Sequence, residues 1–546
     1  MNKIRKTKKL MKATSIVLAA FIFVFVLLVP EETASAAPIN VIENGSKIVV
    51  NTGAGLEYTI DKNNGNMISA LLNGTELTGS KPSHINSGLW GTTVSWVKSP
   101  SGGTVIITVD TDTLTHYYVS RSGENIIYMA TYTTAQPGVG ELRYIFRGNS
   151  DILTDIPTNA DLWDNTGAIE SKDIYGFSNG YSASKFYGNE QAKDLNVQGA
   201  TGNNFGVFMA YGNRETSSGG PFFRDIQFQR AADTEVYNYM NSGHAQTEDF
   251  RVGLHGPYAL IFTNGSTPSI PDFKWMSSLG LTGWVNSRGN VVLNNISGME
   301  SGYTYTVGFA NRDAQYWTTA STSGTTAMYN MKPGIYTMKI YKGELAVYSE
   351  DNVTVAGENK TTFLNERSID NDPSTTPYVW RIGTWDGSPT EFLNGQMITS
   401  QHPSDRRNAN WGPLAYTIGN PVDQFPAIQF RGANDPTLIN FTLSAEEAAS
   451  PHMLKIGITT AYNGGRPKVS INDIALKNPS ASFQPNSRDV TIGTYRGNNV
   501  TYSYYIPASH FVAGTNTIGI TAISGSPDLS PWLSAGFAYD VVELGD

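Results

Sequence analysis

Val236-Tyr-Asn-Tyr-Met-Asn-Ser-Gly-His244-Ala-Gln-Thr-Glu248 is the stretch on which the reading of this chain turns. Strand alternation puts Tyr237, Tyr239 and Asn241 on one face and Val236, Asn238 and Met240 on the other. Ser242-Gly243 then breaks the strand, and an imidazole follows immediately. Two phenols, an amide, an imidazole and a carboxylate so close together are costly to bury without partners. They suit a polar groove that holds a hydrogen-bonding ligand such as a sugar. The plainer reading is a half-exposed strand ending in a turn histidine, and the remainder of the chain has to decide between the two.

Upstream, short β runs follow one another at residues 47–51, 56–60, 67–72, 104–109, 114–119 and 126–133. Polar turns with a glycine for positive φ separate several of them, as in Asp61-Lys-Asn-Asn-Gly-Asn66 and Arg121-Ser-Gly-Glu-Asn125. In Glu141-Leu-Arg-Tyr-Ile-Phe-Arg147, Leu142, Tyr144 and Phe146 share one face while Arg143, Ile145 and Arg147 share the other. Two arginines four residues apart on one strand face stand roughly 13 Å apart. That spacing fits successive acidic groups along a polysaccharide better than one small anion.

Residues 151–200 are rich in Asn, Gly, Asp and Tyr, the composition of loops that carry binding function. They contain Gly180-Tyr-Ser-Ala-Ser-Lys185-Phe-Tyr187-Gly188. Lys185 reads either as a surface lysine that lays its stem on aromatics or as a partly desolvated amine. In the second reading burial and neighbouring cations such as Arg143 or Arg147 depress its pKa, and it serves as a base.

Downstream of the linker Ser266-Thr-Pro-Ser-Ile-Pro271, strands are predicted at 282–285, 291–293, 303–310, 337–341 and 344–348. Met331-Lys-Pro-Gly-Ile-Tyr336 is a Pro-Gly turn feeding a strand, as in small sandwiches. No catalytic grouping stands out there, and the unit reads as a spacer. From about residue 365 the composition shifts again, with Trp380, Trp385, Trp411 and Trp532 among further strands. These aromatics read as core or as sugar-stacking platforms. One short helix is predicted, at 445–449. The chain is therefore expected to be all-β, in three units over residues 37–275, 276–360 and 361–546.

Composition narrows the function. Lys3, Arg5, Lys6, Lys8, Lys9 and Lys12 precede an apolar run over 16–29 and the small-residue pattern Ala34-Ser35-Ala36, which together read as a secretory signal peptide over residues 1–36. Its removal leaves 32 basic against 45 acidic side chains, a net of −13, which does not suit nucleic acid or anionic membranes. No later stretch reaches the roughly 20 apolar residues of a membrane span. The chain has no cysteine, which excludes thiolate chemistry and cysteine metal sites. The seven histidines (His84, His116, His244, His255, His402, His452, His510) lie too far apart for a helical zinc pair.

Three motifs now come together: Gly140-Glu-Leu-Arg143-Tyr-Ile-Phe-Arg147, Ser184-Lys185-Phe-Tyr187, and Tyr237 through His244 to Glu248, continuing to Gly253-Leu-His255-Gly-Pro-Tyr258. In this order the chain resembles the rhamnogalacturonan endolyases of polysaccharide lyase family 4. The resemblance implies a large β-sandwich lyase domain, a fibronectin-III-like domain and a C-terminal jelly roll similar to carbohydrate-binding modules. It implies Lys185 and His244 as catalytic residues, and Arg143, Arg147, Tyr237, Tyr239 and Glu248 as substrate contacts. This chain differs from fungal members at Asn238, between the tyrosines, and at Ala245, after the histidine.

The implied partner is the pectic polysaccharide rhamnogalacturonan I, cleaved by β-elimination outside the cell by a monomer. Its motifs are cationic rather than acidic, so catalysis is expected to need no metal; a structural Ca²⁺ is left open, with no loop specific enough to hold it. In the preferred division Lys185 is the base and His244, held protonated by Glu248, the acid; the reverse stays open. The rival readings are a glycoside hydrolase acting on a pectic polysaccharide, which needs two opposed carboxylates, and a non-catalytic pectin-binding protein.

Overall fold

The computed structural model describes residues 37–244, 248–481, 488–494, 499–524 and 530–545. The expected signal peptide over 1–36 and the departure at Ala245 lie outside them. No helix among the described residues is long and apolar enough to cross a membrane.

Alternating apolar residues build the first core from three antiparallel sheets. Five strands from Asn40–Asn44 to Thr75–Glu76 pair in sequence order. A seven-stranded sheet runs from Val197–Gly202 through Phe205–Ala210, Gly253–Thr263, Ile126–Thr133, Leu114–Arg121 and Thr104–Asp110 to Thr93–Lys98. The third sheet orders Phe228–Arg230, Asp233–Asn241, Leu142–Asn149 and His84–Ile85. Val50, Tyr58, Ile107, Tyr118, Tyr144, Phe146, Leu260 and Phe262 fill the space between them. Phe146 meets Phe262 edge to face at 6.0 Å, which ties the four-stranded sheet to the seven-stranded one.

The seven-stranded sheet is apolar on its other face too, where Tyr128, Ala130, Phe208 and Ile261 are covered by Met276 and Leu281. Residues 282–285, expected as a strand, pair with nothing there. Trp284 packs against this cover.

Beyond it, Gly289–Leu293, Thr326–Met331 and Thr361–Leu364 face the four-stranded sheet of Gln315–Thr319, Tyr305–Ala310, Gly334–Lys342 and Leu345–Val355 across a separate core. Two five-stranded sheets then enclose Phe425, Phe430, Ile439, Leu454, Ile518 and Tyr539. The chain is β throughout. The predicted short helix is present as Ala445–Ala448, with Ser444 and Glu447 closing a reciprocal cap. A second helix, Asp489–Ile492, was not expected from sequence. Trp380 and Trp385 are buried in the core, while Trp411 and Trp532 are half-buried and pack on Phe430.

Candidate active site

Strand pairing assembles one chemically dense face. Arg143, Ile145 and Arg147 lie opposite Tyr239, Tyr237 and Glu235, and His84 lies opposite Ile145 on the other side. Residues directly opposed in an antiparallel ladder share a face. The two arginines therefore flank a strip of tyrosine and isoleucine, with Leu142, Tyr144 and Phe146 turned inward to the core.

This face is less open than alternation suggests. Every residue of Asp233–Asn241 is buried. Tyr237 and Tyr239, 6% and 7% exposed, pack with Ile145, Ile174, Phe186, Tyr187, Ile226 and Ile492. Sequence reading had these tyrosines lining a polar groove. They are instead buried in this cluster, stacked on each other at 5.9 Å. Tyr237 donates its hydroxyl to Glu235. Burial, and next the Glu235 charge, raise the Tyr237 phenol well above its usual range; burial and Asp225 do the same for Tyr239. Neither phenol is ionised near neutrality, so neither is a base there.

Lys185 follows the strand Ser182–Ser184, the third of a small sheet that includes Gly167–Glu170 and Ile174–Gly176. Its Nζ lies 3.4 Å from Asp173 Oδ1 and 5.5 Å from the centre of the Phe186 ring. Sequence reading set cations such as Arg143 or Arg147 beside this amine; the ion-pair partner found among the described residues is the carboxylate of Asp173. Arg143 pairs with Glu141 instead, and Arg147 Nε lies 2.8 Å from Glu235 Oε1 without the alignment of a hydrogen bond.

His244 is held by the turn that presents it. Its backbone N donates to Ser242 Oγ at 2.9 Å, and its Nδ1 lies 3.0 Å from the same hydroxyl and 3.2 Å from Asp225 Oδ1. A carboxylate only accepts, so Asp225 favours a proton on Nδ1 and makes Nε2 the nitrogen that exchanges one with a ligand. The imidazole stands edge-on to Phe186 at 5.0 Å and tilted over Tyr239 at 5.9 Å. Arg143 lies over the same Tyr239 ring at 5.4 Å.

Lys185 and His244 thus approach one phenyl ring, at distances that together cap their separation at about 10.5 Å. Each retains 27% side-chain exposure. Such a pair can take a proton from one side of a bound ring and deliver one from the other. Glu248 does not join it: its carboxylate accepts from Arg251 Nη2 at 2.6 Å and from Gly219 N. The carboxylate beside His244 is Asp225.

His84 adds a neutral imidazole to the arginine strip. Burial first, then Arg147, pushes it down to about 4, and its buried Nδ1 makes no hydrogen bond among the described residues.

Three family models match along the chain: "Rhamnogalacturonan lyase B, N-terminal" over residues 40–283, and polysaccharide lyase family 4 domains II and III over residues 287–364 and 378–544. The chain belongs to polysaccharide lyase family 4. Among curated relatives, the rhamnogalacturonate lyase A of Emericella nidulans is 40% identical over 518 residues, which cover 93% of this chain and 96% of that protein. The rhamnogalacturonate lyase A of Aspergillus aculeatus is 40% identical over 521 residues, with the same coverage. The probable rhamnogalacturonate lyase A of Aspergillus terreus is 41% identical over 498 residues, covering 90% and 92%.

In this family 4 lyase the first matched region supplies Lys185, His244 and both arginines. Sequence reading passed over Asp173, Asp225, Glu235 and His84, which lie outside the long motifs. Only Glu235 carried a local signal, since it continues the Tyr237–Tyr239 face by one more alternate position.

Proposed function

We propose that this lyase is a secreted monomer that cleaves the rhamnose-α-1,4-galacturonic acid bond of the rhamnogalacturonan I backbone by β-elimination. The observation that carries the reading is the approach of Lys185 and His244 to the one Phe186 ring beside an arginine strip. The names of its relatives supply the substrate class.

The chemistry sets three tasks. The C5 proton of a uronate is poorly acidic because the adjacent carboxylate resists a developing carbanion, so that charge must be neutralised. Arg147 approaches Glu235 by its Nε, and a guanidinium of this kind forks bidentately onto the substrate carboxylate. In a galacto-configured ring the C5 hydrogen and O4 are both axial and anti, so base and acid stand on opposite sides. Lys185 takes the C5 proton, and Asp173 stabilises the ammonium that results. His244, its imidazolium stabilised by Asp225, protonates the departing O4. The guanidinium groups do what a metal ion does in other acidifying sites, so the reaction is proposed to run without one.

Incubation with debranched rhamnogalacturonan tests this directly. Shortened chains that carry the ultraviolet absorbance of an unsaturated uronate are expected, at a rate that a chelator does not change. Shortened chains without that absorbance mean hydrolysis, and binding without shortening means a carbohydrate-binding protein; either result defeats the proposal.

The arginines are expected to act on binding. Arg143→Ala or Arg147→Ala removes a charge-assisted contact and should raise KM about 10- to 100-fold. An unchanged KM in both variants places the acid-binding groove elsewhere.

A further inference from the structure

The segment that carries Lys185 is built against the C-terminal domain. Ser182 donates through N and Oγ to Asp405 Oδ2 at 2.6 and 2.8 Å. Gly188 N donates to Thr399 O at 3.0 Å, and the Tyr187 hydroxyl donates to Thr491 O. Ile492 enters the apolar cluster that Phe186 and Tyr187 form with Tyr237 and Tyr239. The lysine is thus bracketed by anchors that the first domain does not own.

The ion-pair partner of Lys185 among the described residues is anchored in the same way. Asp173 closes a two-residue turn, its N donating to Glu170 O at 3.0 Å. The central residues of that turn, Ser171 and Lys172, both take positive φ, at 49° and 57°. Asn and Gly are the residues that hold this turn readily; other L residues need outside support to stay in it. Arg488 supplies the support. Its Nη1 donates to Glu170 Oε1 at 2.7 Å and its Nη2 to Asp173 Oδ2 at 2.6 Å, so one guanidinium spans both stems of the turn. Thr491 Oγ1, one helical turn on, donates to the same Glu170 oxygen at 3.1 Å, and His402 Nε2 lies 3.0 Å from the other. With Oδ2 taken by Arg488, the second oxygen of Asp173 is the one that meets Lys185.

We propose that Arg488 is a positioning residue for the elimination: it fixes Asp173, and through it the Lys185 amine, so that the C-terminal domain is an integral part of the active site. The inference rests on Lys185 as a proton-transfer group. A lysine stem has several rotatable bonds, and proton transfer requires its nitrogen within hydrogen-bond reach of the reacting atom. Without Arg488, Glu170 and Asp173 lose the one guanidinium that bridges them, the turn loses its clamp, and the amine loses its reference point. The arginines that bind the uronate are untouched, so the loss falls on kcat and not on KM.

The test uses the full chain with Arg488→Ala, Arg488→Lys, Asp173→Asn, the double variant Arg488→Ala/Asp173→Asn, and Lys185→Ala, all assayed by ultraviolet absorbance on debranched rhamnogalacturonan and checked for folding by circular dichroism. Arg488→Ala should lower kcat about 10- to 100-fold, as a misplaced reacting group does, with KM held within about twofold. Arg488→Lys, which cannot fork onto two carboxylates, should recover only part of the rate. The double variant should cost no more than its worse single, because the two act as one unit. A kcat within about twofold of the parent for Arg488→Ala overturns the proposal, and so does an effect confined to KM. Should Arg488→Ala fail to fold, Asp173→Asn and Arg488→Lys decide by the same criterion. Parental activity in Lys185→Ala overturns the reaction scheme instead, so the two failures are told apart.

Discussion

Replacing Lys185 by alanine is expected to lower kcat on rhamnogalacturonan by about 10³-fold, within the range that general acid–base groups contribute, while KM changes little. The side chain is partly exposed, and its polar contact among the described residues is the ion pair to Asp173. Its loss therefore leaves the fold unaltered, because Ser182, Tyr187 and Gly188 keep the segment fastened on both sides of the missing amine. It leaves the arginine strip in place as well. A fall in kcat and in kcat/KM together is the signature of a group used in the transition state and not in ground-state binding. Steady-state kinetics by ultraviolet absorbance read both constants, and a melting temperature close to the parent separates chemistry from unfolding. A variant that keeps near-parental kcat removes Lys185 from the mechanism, whatever the family relationship.

Much of this site is legible from alternation. The run from Leu142 to Arg147 sorts its side chains between core and outer face as a period of two demands, because a neighbouring apolar sheet rewards only that register. The same logic reads Tyr237 and Tyr239 onto the arginine face. It fails to see that this face is itself covered, since the cover comes from residues 174–187, from Ile226 and from Ile492, a partner some 250 residues away. Periodicity reports that a face is apolar or polar, and says nothing about what folds over it.

Partner assignment fails for a related reason. Glu248 is near His244 in sequence and was read as its carboxylate. The turn carries it instead to Arg251, three residues on, where a pair forms without any long-range cost. Asp225 reaches the imidazole from a separate loop, and no spacing rule connects the two. The helix Asp489–Ile492 escaped notice because four residues leave no periodic pattern to detect, and its first position lacks a capping side chain.

His244→Ala should match Lys185→Ala, lowering kcat about 10³-fold by removing the second proton-transfer group. The more discriminating variant is Asp225→Asn, which keeps the shape of the partner and replaces an acceptor by an amide that presents donors as well. An amide turned with its NH₂ toward Nδ1 favours the tautomer with the proton on Nε2, and it no longer stabilises an imidazolium. Both effects oppose His244 as the acid, and kcat should fall about 10- to 100-fold, equivalent to roughly 1.4–2.7 kcal/mol of barrier. The argument requires the two residues to behave as a unit. The double variant His244→Ala/Asp225→Asn should therefore cost no more than His244→Ala alone, since an orienting carboxylate has nothing left to orient. Multiplying effects would instead give Asp225 a role of its own, such as holding the loop through its bond from Ile226 N at 2.7 Å. In that case the carboxylate that serves the imidazole must be sought elsewhere on the groove wall.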